Sequence, residues 1–144
     1  GGAPVPDPLH AEAVWQEDMR FGATTGSGHE VVLDASADHG GQNAGPRPME
    51  LLLVGLAGCT GMDVISILRK MRQPVTGYRV RVTGERAETD PHVYTHIVIE
   101  HILQGDLDEK KVAHAVELSD TKYCSAAAML RAVAKMEVKW TIER

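Results

Sequence analysis

PRPMELLLVGLAGCTGMDVISILRKM, residues 46–71, decides how the rest of the chain is read. It is the longest apolar segment, and positions 51–62 carry no charge at all. That uncharged run is short of the roughly 20 apolar residues a membrane-spanning helix needs. Its Leu and Met content and its length favour a helix over a strand. Pro48 suits a first helical turn, and Glu50 soon after it complements the positive end of the helix dipole. From Met49 to Cys59 nearly every face is apolar, the pattern of a helix buried on all sides. Charges return at Asp63, Arg69, Lys70 and Arg72, and Pro74 closes the element. Gly55, Gly58 and Gly61 recur every third residue, each costing roughly 1 kcal/mol of helix stability against Ala. Their spacing makes a place where another backbone can approach. Cys59 sits on this same helix.

Around it stands a chain of 144 residues, the size of one ordinary domain with a core of its own. Aromatic residues make up only 4% of it, so Leu, Val, Ile, Met and Ala must fill that core. The formal net charge of −5, with no basic run, argues against nucleic acid or an anionic membrane as partner. No signal peptide, lipidation site or transmembrane span is recognised, so the cytoplasm is the expected location. Gly1-Gly2 reads as the remnant of a cleaved tag. Residues 1–10, with three prolines, read as an extended or disordered arm before a single domain, 11–144.

The elements follow in order. Residues 11–34 read as a hairpin, a strand from Ala11 to Ala23 and a second over HEVVLD, His29–Asp34, with a Thr25-Gly26-Ser27-Gly28 turn between them. ASADHGGQNAGP, residues 35–46, is a long polar loop in a position where loops are often functional. Tyr78–Thr83 alternates as a half-buried strand, and Val93–Leu103 as a longer one. Asp108 can cap a short helix, Glu109–Leu118. Ser119 or Asp120 then caps a helix Thr121–Met136 that contains Cys124, and Glu137–Glu143 forms a last strand. The order ββ-α-ββ-α-α-β is an α+β fold with a mostly antiparallel sheet around a long buried central helix.

The two cysteines, Cys59 and Cys124, admit two readings: a pair of buried apolar thiols, or a redox pair. A nearby helix N-terminus and Lys122 favour thiolate at Cys124, whereas Asp63, one turn beyond Cys59, disfavours it there. His92 and His96 share a face if extended, but no acid or thiol joins them, so no metal site is expected. Glu50 either stabilises its helix N-terminus or orients a catalytic cation. Arg20 is either an ordinary exposed strand residue or a partly buried cation facing an acid or a thiolate.

GPRPMELLLVGLAGCTGMDVISILRK resembles the first cysteine motif of the OsmC/Ohr family, and KYCSAAAMLRAV resembles the second. The resemblance covers roughly residues 11–143, and PMEL, GCTGMDVISIL and LSDTKYCSAAAML point to the YhfA-like subgroup. It implies an intertwined homodimer with the central helices packed at its heart. It also implies a thiol-dependent peroxidase that reduces organic hydroperoxides, with no cofactor. One cysteine becomes a sulfenic acid, the second condenses with it to a disulfide, and an external dithiol restores both. The family assigns attack to Cys59 and resolution to Cys124, with an arginine and a glutamate holding the reactive thiolate. Arg20 fits that arginine through its Arg-Phe-Gly context. The family's glutamate follows an Asn-Pro pair at the position of Met49. Glu50 stands one place later, a turn of about 100° around a regular helix. His39 stands near the place of the loop arginine of the OsmC branch, and Arg47 is a poorer substitute. The second expectation is a dimeric redox-buffering or ligand-binding protein of the same fold without efficient turnover.

Overall fold

The computed structural model describes residues 6–144. The expectations for Gly1-Gly2 and residues 3–5 lie outside the described residues. The chain forms two compact units, Gly1–Leu51 and Leu52–Arg144, and the division falls within the long central helix.

The first unit holds strands β1 (Ala11–Glu17), β2 (Arg20–Thr25) and β3 (Glu30–Leu33), an antiparallel sheet in the order β1-β2-β3. The expected hairpin is therefore a three-stranded meander. The extra turn sits at Asp18, whose φ of 48° is a conformation that Asp tolerates better than most residues. No Gly or Pro marks it, so the sequence from Ala11 to Ala23 reads as one strand. The loop after β3 is organised by the buried carboxylate of Asp34. It accepts from the backbone N–H of Ala35 at 2.8 Å, Gln42 at 3.0 Å and Ala44 at 3.1 Å. These bonds, with that from Ala44 foremost, hold the Asp34 carboxyl below its ordinary range. Glycine is required at 45 because a Cβ there would lie 2.2 Å from the carbonyl oxygen of Val32.

Helix α1 runs from Pro48 to Lys70. Its start shows one half of a capping box: Glu50 reaches back to accept the Arg47 backbone N–H at 2.9 Å. With 23 residues, and a mean hydropathy of 2.0 over its most apolar 18-residue window, α1 is long and apolar enough to cross a membrane, which the uncharged run alone did not indicate. The core helix of a soluble protein meets the same test. Within the single chain burial is one-sided. Leu56, Thr60, Val64 and Leu68 form a buried stripe at i, i+4 spacing, while Leu52, Val54 and Met62 are exposed. Within the second unit, a Cβ at Gly55 or Gly58 would meet no atom within 4 Å, so no backbone of that unit uses the small-residue face there.

The second unit continues with β4 (Gly77–Arg86), β5 (Tyr94–Gln104), α2 (Glu109–Leu118), α3 (Ser125–Arg131) and β6 (Lys135–Glu143). Asp108 caps α2 as expected, accepting from Lys110 N–H at 2.8 Å and Lys111 N–H at 3.3 Å. The sheet order is β4-β5-β6, with β4 antiparallel to β5 but β6 parallel to it. A parallel neighbour needs a long crossover, which the helices between β5 and β6 supply. The helix expected over Thr121–Met136 is only Ser125–Arg131, because Lys135 and Met136 pair with His96 and Ile97 of β5. Sheet pairing overrides the helical character of that stretch. Val64 and Leu68 of α1 pack with Leu103, Leu107, Val112 and Val116 to form the core.

A polar pair joins β4 to β5 in this unit. The Tyr78 hydroxyl and His101 Nδ1 lie 2.6 Å apart, and burial pushes the His101 pKa down from 6.5 to about 4. Below pH 6.5 the unfolded chain therefore takes up a proton that the folded chain refuses. The stability that depends on His101 is complete above pH 6.5 and is lost as pH falls from 6.5 to 4. The expected slope approaches ~1.4 kcal/mol per pH unit within that window. Urea unfolding of the parent and of His101→Gln across pH 4–7 checks this. The difference in slope between the two proteins should vanish above pH 7, and equal slopes below pH 6 would contradict it.

Candidate functional site

The site is built where two local structures meet in the second unit. The first is the middle of α1, where Cys59 is partly buried and Thr60 occupies the buried stripe. The second is the end of α2. There the chain does not stop but widens into a five-residue π turn, Ser119–Tyr123, closed by a bond from the Cys124 N–H to the Ser119 carbonyl at 2.8 Å. Cys124 then serves as N-cap of α3, in extended conformation rather than within a helix as expected. Its Sγ accepts the Ala127 N–H at 3.4 Å, a place usually taken by Ser, Thr, Asp or Asn.

Both cysteines are free thiols, Cys124 buried and Cys59 partly buried, and they lie close enough that Cys59 acts on the Cys124 thiol. Beside them lies a buried polar network. The hydroxyls of Thr60 and Ser119 are 2.7 Å apart, and the Ser119 hydroxyl donates to the Asp63 carboxylate at 3.0 Å. Asp63 also lines an open pocket of about 430 Å³ together with Ser66, Ile67, Lys70, Leu118 and Tyr123.

Electrostatics distinguish Cys124 sharply from the expectation. Burial pushes its thiol up to about 11; the neighbouring Cys59 and the charge of Asp63 add to this, and the Ala127 N–H offsets part of it. At pH 7 roughly one Cys124 in 10⁴ is then a thiolate. The reading that a helix N-terminus and Lys122 favour thiolate at Cys124 is overturned. The α3 N-terminus is one short helix, and the Lys122 ammonium lies over the Tyr123 ring, 5.1 Å from its centroid. Asp63 also raises the pKa of half-buried Tyr78, after desolvation, the main cause.

Arg20 and Glu50 belong to the first unit and have partners there. Arg20 pairs with the Glu17 carboxylate, donates through Nε to Gln16 Oε1 at 3.1 Å, and its charge helps lower the Asp34 pKa. Glu50 is occupied by the helix cap. Arg47 donates to Asn43 Oδ1 at 2.9 Å and to the Gly45 carbonyl at 3.0 Å, and His39 Nδ1 lies 2.9 Å from Ser36 Oγ. In the second unit, His92 pairs with Asp90 at 3.0 Å, and His96 stands between Glu85 at 3.5 Å and Glu137 at 3.3 Å. Among the described residues no group of His, Cys, Asp and Glu is arranged to hold a metal ion.

Sequence reasoning missed Thr60 and Ser119. A signal existed: Thr60 interrupts the apolar series Leu56, Val64, Leu68, and a hydroxyl in a buried stripe must find a partner.

A family model for OsmC-like proteins matches residues 40–139, the span that holds both cysteines and the network. The chain belongs to the OsmC-like family. It is 42% identical to Protein YhfA of Escherichia coli K12 over 123 residues, covering 85% of this chain and 89% of that protein. The crystal structure of a hypothetical protein from Aquifex aeolicus VF5 superposes with a TM-score of 0.85 at 33% identity, covering 96% of this chain and 98% of that one. An organic hydroperoxide resistance protein OsmC from Legionella pneumophila shares the fold at 13% identity, with a TM-score of 0.73 and coverage of 96% and 99%. The expected α+β OsmC-like fold is thus the fold observed, its strand pairs mostly antiparallel and β6 parallel to β5.

The asymmetry of the thiols is open to measurement. Alkylation with iodoacetamide at pH 8, followed by peptide mapping, should modify Cys59 well before Cys124. The Cys124 rate should keep rising towards pH 11, and Asp63→Asn should move that rise to lower pH by removing a negative charge. Equal rates for both thiols at pH 8 would overturn the assignment.

Proposed function

We propose that this protein is a thiol peroxidase for organic hydroperoxides, with Cys59 as the attacking sulfur and Cys124 as the resolving one. The observation that carries the proposal is the meeting of two free thiols of unequal character, one partly exposed and one buried and held protonated. The Cys59 thiolate displaces alkoxide from the terminal peroxide oxygen. The alkoxide takes a proton and leaves as the alcohol, and Cys59 is left as the sulfenic acid. Cys124 then forms the S–S bond to Cys59 as the sulfenic hydroxyl departs, and the Cys124 proton leaves with it as water. An external dithiol exchanges with the disulfide and restores both thiols. That cycle suits the reducing cytoplasm, and the name of the Legionella pneumophila relative, an organic hydroperoxide resistance protein, supports the choice of oxidant.

A second reading has its own support. Arg20 and Glu50 are engaged with Glu17, Gln16 and the Arg47 N–H, and the charge that acts on Cys124 is the acidic one of Asp63. A protein so arranged buffers redox state or binds a ligand, oxidising once without efficient turnover. Steady-state assay with an organic hydroperoxide and dihydrolipoamide separates the readings: many turnovers above the rate of free thiol, or one stoichiometric oxidation. In the first reading Cys59→Ser abolishes peroxide consumption. Cys124→Ser still consumes one equivalent and accumulates Cys59 sulfenic acid that a specific trap detects. Arg20→Ala slows the first oxidation if that arginine serves the thiolate in the working assembly. A Cys59→Ser variant as fast as the parent would reverse the roles.

The working assembly in this proposal is a homodimer. Each unit leaves large apolar side chains exposed: Val14, Trp15 and Met19 in the first, Leu52, Val54 and Met62 in the second. A second copy of the chain is the occupant that the family resemblance implies for them. Equilibrium sedimentation at low micromolar concentration should give the mass of two chains. A folded monomer as the dominant species would refute this part.

A further inference from the structure

Two segments far apart in sequence are fastened together beside the cysteines by three side chains. Thr60 follows Cys59 on α1 and is buried, and Ser119 is fully buried. The Ser119 hydroxyl has a single proton, and the Asp63 carboxylate, which only accepts, takes it at 3.0 Å. Thr60 must then donate to the Ser119 oxygen at 2.7 Å. Through its carbonyl the same Ser119 accepts the Cys124 N–H at 2.8 Å and closes the π turn. One residue therefore holds α1 with its side chain and Cys124 with its backbone.

We propose that Ser119, oriented by Thr60 and Asp63, is a positioning residue that holds Cys124 opposite Cys59 and so sets how strongly the pair prefers the disulfide. The proposal rests on the disulfide of the preceding section but not on its peroxide step. A disulfide tolerates only Cα separations up to about 7 Å and a narrow torsion, so its stability follows the effective concentration of one sulfur at the other. Without the Ser119 hydroxyl the π turn loses its side-chain tie to α1. The two sulfurs then meet less often, and the dithiol gains over the disulfide.

The test is a redox equilibrium of the intact protein in mixtures of reduced and oxidised dithiothreitol or glutathione at pH 7. There the two protein thiols give up two electrons and two protons to the oxidised buffer, with alkylation and peptide mapping as readout. Ser119→Ala and Thr60→Val, both checked for native circular dichroism, should lower the equilibrium constant for the Cys59–Cys124 disulfide about tenfold or more. Such a change corresponds to a potential about 30 mV less negative. Thr60→Ser keeps the hydroxyl and should stay within about threefold of the parent. Should Ser119→Ala fail to fold, Thr60→Val carries the test. The proposal is overturned if a folded Ser119→Ala or Thr60→Val variant equilibrates like the parent. It is equally overturned if no buffer composition yields the Cys59–Cys124 disulfide. A normal dithiothreitol equilibrium in a protein that does not turn over hydroperoxide would instead sink the peroxidase reading alone.

Discussion

A hydroxyl in an apolar stripe constrains everything near the thiols. Thr60 stands between Leu56 and Val64 on the buried face of α1, where an unpaired hydroxyl would cost on the order of 1–3 kcal/mol. Its partner is Ser119, whose own hydroxyl donates to Asp63. Satisfying these groups fixes the end of α2 against the middle of α1. The π turn that follows is the consequence: the chain must place Ser119 inward and still deliver Cys124 to the N-terminus of α3.

The same packing makes the two thiols unequal. Burial above all, with smaller contributions from Cys59 and the negative charge of Asp63, favours the protonated form of Cys124, while the Ala127 N–H works the other way. A thiol kept protonated is a weak nucleophile, so in the proposed cycle Cys124 must give up its proton as its sulfur meets the sulfenic acid. Cys59, on the helix and partly exposed, has the access that Cys124 lacks. The difference between the two thiols thus follows from where each sulfur sits.

The first unit obeys a different logic. It is held by a carboxylate, Asp34, that gathers three backbone N–H groups of a twelve-residue loop region, and by local pairs such as Arg20 with Glu17. Glu50 caps the helix that leads out of it. Arg20 and Glu50 are the residues that family resemblance nominates as activators, yet each already has a structural partner close in sequence. Whatever they do for the thiolate has to compete with those bonds.

Local rules in the sequence determined a good deal. Pro48 and Glu50 announce the start of α1, Asp108 announces α2, and the alternation in residues 78–83 and 93–103 announces the two long strands. These are signals between residues a few positions apart, and the paired cysteine motifs added the family. Tertiary structure alone decided the rest. The turn at Asp18 carries no Gly or Pro, so nothing local divides β1 from β2. The parallel docking of β6 on β5 shortens α3 because a ladder with a distant strand outweighs helical propensity in residues 132–136. The Thr60–Ser119–Asp63 network and the high pKa of Cys124 arise from burial, and burial belongs to the packed chain as a whole. A sequence shows which groups are polar; only the fold decides which of them lose water and must find each other.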